Sequence, residues 1–112
     1  MNKTSSSASK GIKMLHIVNK SATERGSLDS CLAMAKSGSA VLLIEDAVYA
    51  ATTGSTAAAK IQAAAAGLKV YALGPDLAAR GMTGRVLDGV NVVDYSGFVD
   101  LVAEHKACQS WL

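Results

Sequence analysis

The stretch AVLLIEDAVYAATTGSTAAAKIQAAAAGLKVYAL, residues 40–73, decides the fold. It opens with the continuous apolar run AVLLI (40–44) and closes with a similar run, LKVYAL (68–73). Runs of this length that do not alternate with polar residues are typical of strands buried on both faces of a sheet. The alanine-rich segment between them has helical length and ends at Gly67. The stretch therefore predicts a strand–helix–strand unit with a right-handed crossover.

The alternation of apolar runs and helical segments continues on both sides of this unit. Upstream, MLHIV (14–18) predicts a strand, and a helix over about 28–37 follows it, with Ser27 as a candidate N-cap. Downstream we expect a short helix at 75–80 and a fourth strand at 90–94. A further helix should begin at Tyr95 or Ser96, and a short tail should occupy 108–112.

Strands that alternate with helices at this spacing indicate parallel pairing with helices on both faces of the sheet. The last helix is expected to bury Phe98, Leu101 and Val102. Within the strand–helix–strand unit we expect helical residues at 47–51, a break at 52–54 and an alanine-rich helix at 55–66. The predicted fold class is α/β, a three-layer α/β/α sandwich with a small, mostly parallel sheet.

Residues 1–13 (MNKTSSSASKGIK) differ in composition from the rest of the chain. They are rich in serine, contain three lysines and no acidic residue, and offer almost nothing to bury. Such a composition is typical of disorder. We interpret 1–13 as a disordered tail, either a leader or the result of a start assigned upstream of Met14, and 14–112 as a single domain.

The composition limits the classes of function that this chain can have. The chain has 112 residues, 50% of them hydrophobic, which is enough for one domain and too little for two. A net charge of +2 argues against a protein that binds nucleic acid by neutralising phosphates. No segment is apolar enough to span a membrane, and the N-terminus lacks the apolar core of a secretion signal. We therefore expect a cytoplasmic protein without stable nucleic-acid or membrane binding.

No cofactor or metal motif is present. Ligands of parallel α/β folds bind beyond the carboxyl ends of the strands, which here means the loops at 19–27, 45–49, 74–80 and 94–97. None of these loops contains GxGxxG or GxxxxGK[ST], and the chain has no GxSxG or HExxH. His16 and His105 lack companions at ligand spacing, and Cys31 and Cys108 do not form a CxxC pair. We expect neither a cofactor nor a metal ion.

Cys31 is the candidate reactive residue. It lies near the start of the first predicted helix, after a loop that carries Lys20 and Arg25. Helix N-termini and nearby cations lower a thiol pKa and favour the nucleophilic thiolate. A small buried core cysteine fits the same position, and the pattern leaves both interpretations open. We interpret Cys108 as structural or incidental and His16 as a hydrogen-bonded core histidine.

Six segments carry a family resemblance that runs from Met14 to Leu112. MLHIVNKS, SLDSCL, VLLIEDAVYAA, KVYALGPDLAARG, VVDYSGFVDL and QSWL resemble the DsrH/TusB family, in the family's order. The resemblance implies the DsrE-like fold and a place in a heterohexameric sulfur-relay complex that passes persulfide sulfur between proteins. Its implied partners are DsrE/TusD-like and DsrF/TusC-like subunits, with sulfur donor and acceptor proteins. The implied pathway is 2-thiolation of the tRNA wobble uridine (TusB type) or dissimilatory sulfur oxidation (DsrH type).

The resemblance also bears on which residue carries sulfur. In these complexes the principal sulfur-accepting cysteine belongs to the DsrE/TusD subunit, at the end of a strand before an Arg-Gly segment. The similar place here, Leu73 and Gly74 before Arg80, has no cysteine. The chain is therefore expected to be an accessory subunit. Cys31 matches a cysteine of DsrH-type members, which makes it a possible secondary persulfide carrier and favours the DsrH type of pathway. The alternative is a purely structural or regulatory interaction subunit with an inert cysteine.

Overall fold

The computed structural model describes residues 14–19, 27–35, 38–105 and 107–111. Within them, five strands form one sheet in the order β4-β3-β2-β1-β5, and every pairing between neighbours is parallel. The strands are β1 (Met14–Val18), β2 (Ala40–Leu43), β3 (Lys69–Leu73), β4 (Val90–Val93) and β5 (Ala107–Trp111). The helices are α1 (Ser27–Met34), α2 (Ala58–Ala64), α3 (Gly74–Ala79) and α4 (Tyr95–Glu104), with 3₁₀ segments at Glu45–Ala51 and Thr83–Arg85.

The four predicted strands are confirmed, and the predicted tail is wrong. The C-terminal residues form β5, which pairs with β1 from Met14 opposite Ala107 to Val18 opposite Trp111. Because β5 is an edge strand, it has one neighbour and stays partly exposed. It therefore needs no continuous apolar run, and its sequence ACQSW carries none. This strand turns β1 from an edge of the sheet into an interior strand.

The helical segments between β2 and β3 differ in detail from the expectation. The helical segment expected at 47–51 is a 3₁₀ helix that spans Glu45–Ala51, and only Ile44 separates it from β2. The alanine-rich helix α2 begins at Ala58 and ends at Ala64, shorter at both ends than predicted. Before it, the Ser55 hydroxyl accepts a hydrogen bond from the Ala57 N–H at 3.0 Å, which satisfies a backbone donor at the helix entry.

Most of the core lies on one side of the sheet, which we call the first face. Helices α1, α2 and α3 and the first 3₁₀ segment pack there, and each places at least one fully buried apolar side chain against the strands. The strand residues of this core include Val18, Val41, Leu43, Val70 and Ala72. The first face is thus closed by four separate segments of the chain.

The opposite side, the second face, is covered in the described residues by α4 alone. Leu101 and Phe98 of α4 pack on Leu15, Ala40 and Leu42. The expectation that Val102 belongs to this buried side is wrong, because 41% of its surface is exposed. No helix in the described parts of the chain is long and apolar enough to cross a membrane.

Candidate functional site

The carboxyl ends of β2, β3 and β4 bring three connections to one edge of the sheet. The 3₁₀ segment Glu45–Ala51 follows β2, α3 follows β3, and α4 begins at Tyr95 just after β4. Since the strands are parallel neighbours, these connections adjoin one another. The fourth predicted loop, after β1, lies outside the described residues beyond Asn19.

Arg80 ties the first two connections together. Its Nε donates to Asp46 Oδ1 at 3.0 Å, and one guanidinium nitrogen lies 3.0 Å from the same oxygen. The other guanidinium nitrogen donates to the Asp76 carbonyl oxygen at 3.2 Å. Because the Asp46 side chain is 59% exposed, solvent screens the pair and its contribution to stability is small. The contact orients α3 relative to the 3₁₀ segment.

Glu45 has an unusual backbone at the same edge. Its φ of 50° lies in the left-handed region, which costs a non-glycine residue about 1–3 kcal/mol. The Asp76 carboxylate accepts a hydrogen bond from the Glu45 N–H at 2.6 Å, across 31 residues of sequence. Asp76 therefore holds the turn after β2 in place from the start of α3. The pattern of the sequence offers no signal for this bond.

A crevice of about 450 Å³ opens between the starts of α3 and α4. It is lined by Gly74, Val92, Val93, Asp94 and Gly97. A Cβ atom placed on Gly74 would meet the Val92 Cγ1 at 3.2 Å and the Val93 carbonyl oxygen at 3.3 Å. Position 74 is thus tightly packed, and a cysteine there would require its neighbours to shift by a few tenths of an ångström.

Cys31 lies in the core of the first face, away from this edge. It is the fifth residue of α1, its side chain is fully buried, and it packs in the same cluster as Val18 and Leu28. Burial raises the pKa of the Cys31 thiol to about 12, so the thiol is neutral at pH 7. Of the two interpretations that the sequence left open, the reactive one assumed that the helix start and the cations lower the pKa of Cys31, whereas its burial raises it. The two predicted supporting cations, Lys20 and Arg25, lie outside the described residues.

Cys108 is the more accessible cysteine. It is exposed on β5 and pairs in register with Leu15, which belongs to the core of the second face. Residues paired in register on parallel strands point to the same side of the sheet. The two cysteines therefore belong to opposite faces, one enclosed and one open to solvent.

His16 is confirmed as a hydrogen-bonded core histidine. It is 4% exposed, and its Nδ1 accepts a hydrogen bond from the Trp111 Nε1–H at 3.1 Å. The two rings also lie close, with centroids 6.1 Å apart. Burial lowers the pKa of His16, which keeps the acceptor nitrogen unprotonated. The pair fastens β5 to β1.

In the described residues, no group of three or more His, Cys, Asp or Glu side chains is placed to hold a metal ion.

Comparisons with known proteins bear on the family and the fold of this chain. Residues 20–108 match the family model described as DsrH like protein. The chain is 36% identical over 100 residues to Protein TusB of Shigella flexneri and 37% identical over 98 residues to Protein TusB of Pectobacterium parmentieri. Each match covers 88% of this chain and all of the relative.

Solved structures show the same fold. The ychN protein from E. coli superposes with a TM-score of 0.75 at 14% identity, covering 88% of this chain and 98% of that one. The protein MTH1491 from Methanobacterium thermoautotrophicum superposes with a TM-score of 0.66 at 21% identity, covering 87% and 96%. At such identities the likeness concerns the fold alone. The predicted α/β fold and the predicted resemblance are both confirmed.

Proposed function

The chain belongs to the DsrH/TusB family, and from that premise we propose that it is an accessory subunit of a sulfur-relay complex acting in tRNA thiolation. The full-length match to TusB relatives supports this pathway over sulfur oxidation. The proposed complex contains DsrE/TusD-like and DsrF/TusC-like subunits and passes persulfide sulfur between proteins in the cytoplasm. In it this chain contributes assembly, and a partner subunit carries the sulfur.

The observation that carries the assembly role is the placement of the two cysteines. The chain has two, and neither lies in a connection at the carboxyl edge of the sheet. A persulfide relay requires a thiolate that attacks the terminal sulfur of a donor persulfide and releases the donor thiolate. The buried, protonated thiol of Cys31 is poorly suited to that attack. This supports the interpretation of Cys31 as a core residue.

A complementation experiment tests the proposal. A bacterial strain deleted for this chain should lose 2-thiouridine from its tRNA, and the wild-type chain should restore it. The Cys31→Ala variant should restore it to a similar level, since the partner carries the sulfur, and Cys108→Ala serves as the matched cysteine control. Thiolation is measured by mass spectrometry of tRNA nucleosides.

Two outcomes would contradict the proposal in different ways. Unchanged thiolation in the deletion strain would remove the chain from this pathway. Loss of thiolation with Cys31→Ala, while the variant still folds and still binds its partners, would make Cys31 a sulfur carrier. An added sulfur atom found on Cys31 by mass spectrometry, after incubation with a persulfide donor, would support that second outcome directly.

A further inference from the structure

Strand β5 is attached to the sheet along one side only. Its neighbour is β1, and no strand lies beyond it in the described sheet. Cys108, Gln109 and Ser110 are exposed, and Trp111 is the one large apolar side chain of the strand. Trp111 packs against the core of the first face. Beyond the backbone bonds to β1, the attachment of β5 therefore depends mainly on Trp111.

The Trp111 side chain is held by an acceptor that a proton can remove. The indole Nε1–H can only donate, and it donates to His16 Nδ1 at 3.1 Å. A neutral imidazole accepts through one nitrogen, whereas a protonated imidazole carries a hydrogen on both nitrogens and can only donate. Protonation of His16 therefore sets two donors against each other and removes the bond that anchors β5.

In the described residues, the surroundings of His16 on the sheet offer nothing to balance a positive charge. His16 lies on the first face, because it precedes Val18 of that core by two positions on β1. Its partners in register are Val41 on β2 and Gln109 on β5, and both are uncharged. Burial lowers the pKa of His16, which agrees with an uncompensated site.

Helix α1 packs over the same part of the sheet and contacts both β1 and β5. It carries two titratable residues, Asp29 and Cys31. Cys31 lies in the core of the first face with a neutral thiol. The side chain of Asp29 lies outside the described part of the chain, so the experiment below includes a variant at this position.

We propose that β5 is an acid-released strand: protonation of His16 frees the carboxyl end of β5 from β1, while the helices stay packed on the first face. Release uncovers the outer edge of β1, whose backbone groups pair with β5 in the closed form. The step takes up one proton and needs no other reactant.

The direction of the pH dependence follows from the two forms of His16. Release returns its ring to water, where its pKa is near the ordinary 6.5, so the released form binds a proton more readily than the closed form. The released fraction therefore rises as the pH falls below 6.5, by at most about tenfold per pH unit. The rise ends below the lowered pKa of the closed form.

Hydrogen exchange of individual amides in the full chain, followed by NMR, tests the proposal. Protection factors, which divide out the intrinsic pH dependence of exchange, should fall by about tenfold in β5 between pH 7 and pH 5. Exchange in β5 should hardly respond to low urea, because release of one strand exposes little surface, whereas exchange in β2 should respond strongly. Trp111 is the only tryptophan, so its indole N–H gives one signal that reports the bond directly.

Matched histidine variants assign the proton. His16→Gln keeps an oxygen acceptor for the indole N–H and cannot be protonated, so β5 protection should become independent of pH in this range. His105→Gln is the control at the other histidine of the chain, whose Nδ1 lies 2.7 Å from the Leu101 carbonyl oxygen at the end of α4. It should keep the wild-type pH dependence. Trp111→Phe keeps an aromatic ring without the donor and should lower β5 protection at pH 7 by about fivefold.

Three outcomes would overturn the proposal. Equal protection and equal urea dependence in β5 and β2 would show that β5 leaves the sheet only when the whole chain unfolds. A wild-type pH dependence in His16→Gln would assign the proton to another group. Loss of the pH dependence in Asp29→Asn would assign it to a carboxylate of α1. All of these measurements use the isolated chain, so they stand or fall independently of the proposed function.

Discussion

The two faces of the sheet are closed in different ways. On the first face, three helices and a 3₁₀ segment enclose a core in which most members are fully buried. On the second face, α4 is the only helix in the described part of the chain that covers the smaller cluster, and its Val99 and Val102 remain exposed. Among the described residues, the same five strands thus support one face that several segments enclose and another that a single helix covers in part. Stability should depend on the first face, and association on the second.

The largest expected effect is the difference in stability loss when an isoleucine and a valine, on helices of opposite faces, are each replaced by alanine. Ile61 on α2 is fully buried, and Val99 on α4 is 66% exposed. Ile61→Ala should lower the free energy of unfolding by about 3 kcal/mol, through lost burial and the cavity left behind. Val99→Ala should change it by less than about 0.5 kcal/mol. Urea titration of the purified chain measures both. Comparable losses would mean that α4 is as enclosed as α2.

The cysteines provide the next comparison. Cys31→Ser buries a hydroxyl in the core of the first face and should cost about 1–3 kcal/mol, whereas Cys108→Ser on the exposed edge strand should be nearly neutral. Iodoacetamide at neutral pH should modify Cys108 before Cys31, because the higher pKa of Cys31 and its burial both slow the reaction. Faster labelling of Cys31, followed by mass spectrometry, would restore the reactive interpretation.

The Cys31 thiol should make the free energy of unfolding depend on pH in the alkaline range. The pKa of Cys31 is about 12 in the folded chain, against an ordinary value of 9.0. The unfolded chain therefore releases this proton first, and stability that is fully present below pH 9 is lost as the pH rises toward 12. Cys31→Ala should lose less stability over that range than the wild-type chain. An equal loss in both would show that other groups cause it.

His16 should have a smaller effect, on the acid side. Burial lowers its pKa from the ordinary 6.5, so the folded chain resists protonation that the unfolded chain accepts. The stability that neutral His16 contributes above pH 6.5 is therefore lost as the pH falls through its lowered pKa. His16→Gln offers an amide oxygen to the Trp111 Nε1–H and does not titrate. Its unfolding free energy should fall less between pH 7 and pH 5 than that of the wild-type chain.

Features set by local pattern could be predicted from the sequence. Strands β1 to β3 are interior strands of the sheet, and their burial is visible in their mostly apolar residue types. Strand β4 is an edge strand and is only partly buried, but three of its four residues are valine, which favours a strand. Strand β5 escaped prediction because it is an edge strand whose sequence, ACQSW, lacks the β-branched apolar residues that mark β4. The exposure of Val102 on α4 escaped prediction for a different reason. The helical spacing marks Val102 as apolar but does not tell whether the sheet or a partner covers it.

Features that depend on distant residues could not be predicted. The bond between Trp111 and His16 spans 95 residues, and the bond from Glu45 to Asp76 spans 31. No local spacing encodes either bond. For Cys31 the sequence showed both competing influences, the helix start and the apolar surroundings. Their balance depended on how deeply α1 is packed, which only the three-dimensional arrangement reveals.

The smallest expected effect concerns residues 1–13 and tests whether the second face is covered from within the chain. These residues have almost no apolar side chains to offset the entropy of ordering, so we predict a dispensable tail. A chain that begins at Met14 should melt within about one or two degrees of the full chain. If the tail covered the exposed apolar residues of α4, Tyr95, Val99 and Val102, its removal would lower the melting temperature and increase the binding of an apolar dye. The lack of either change would leave the second face open to a partner.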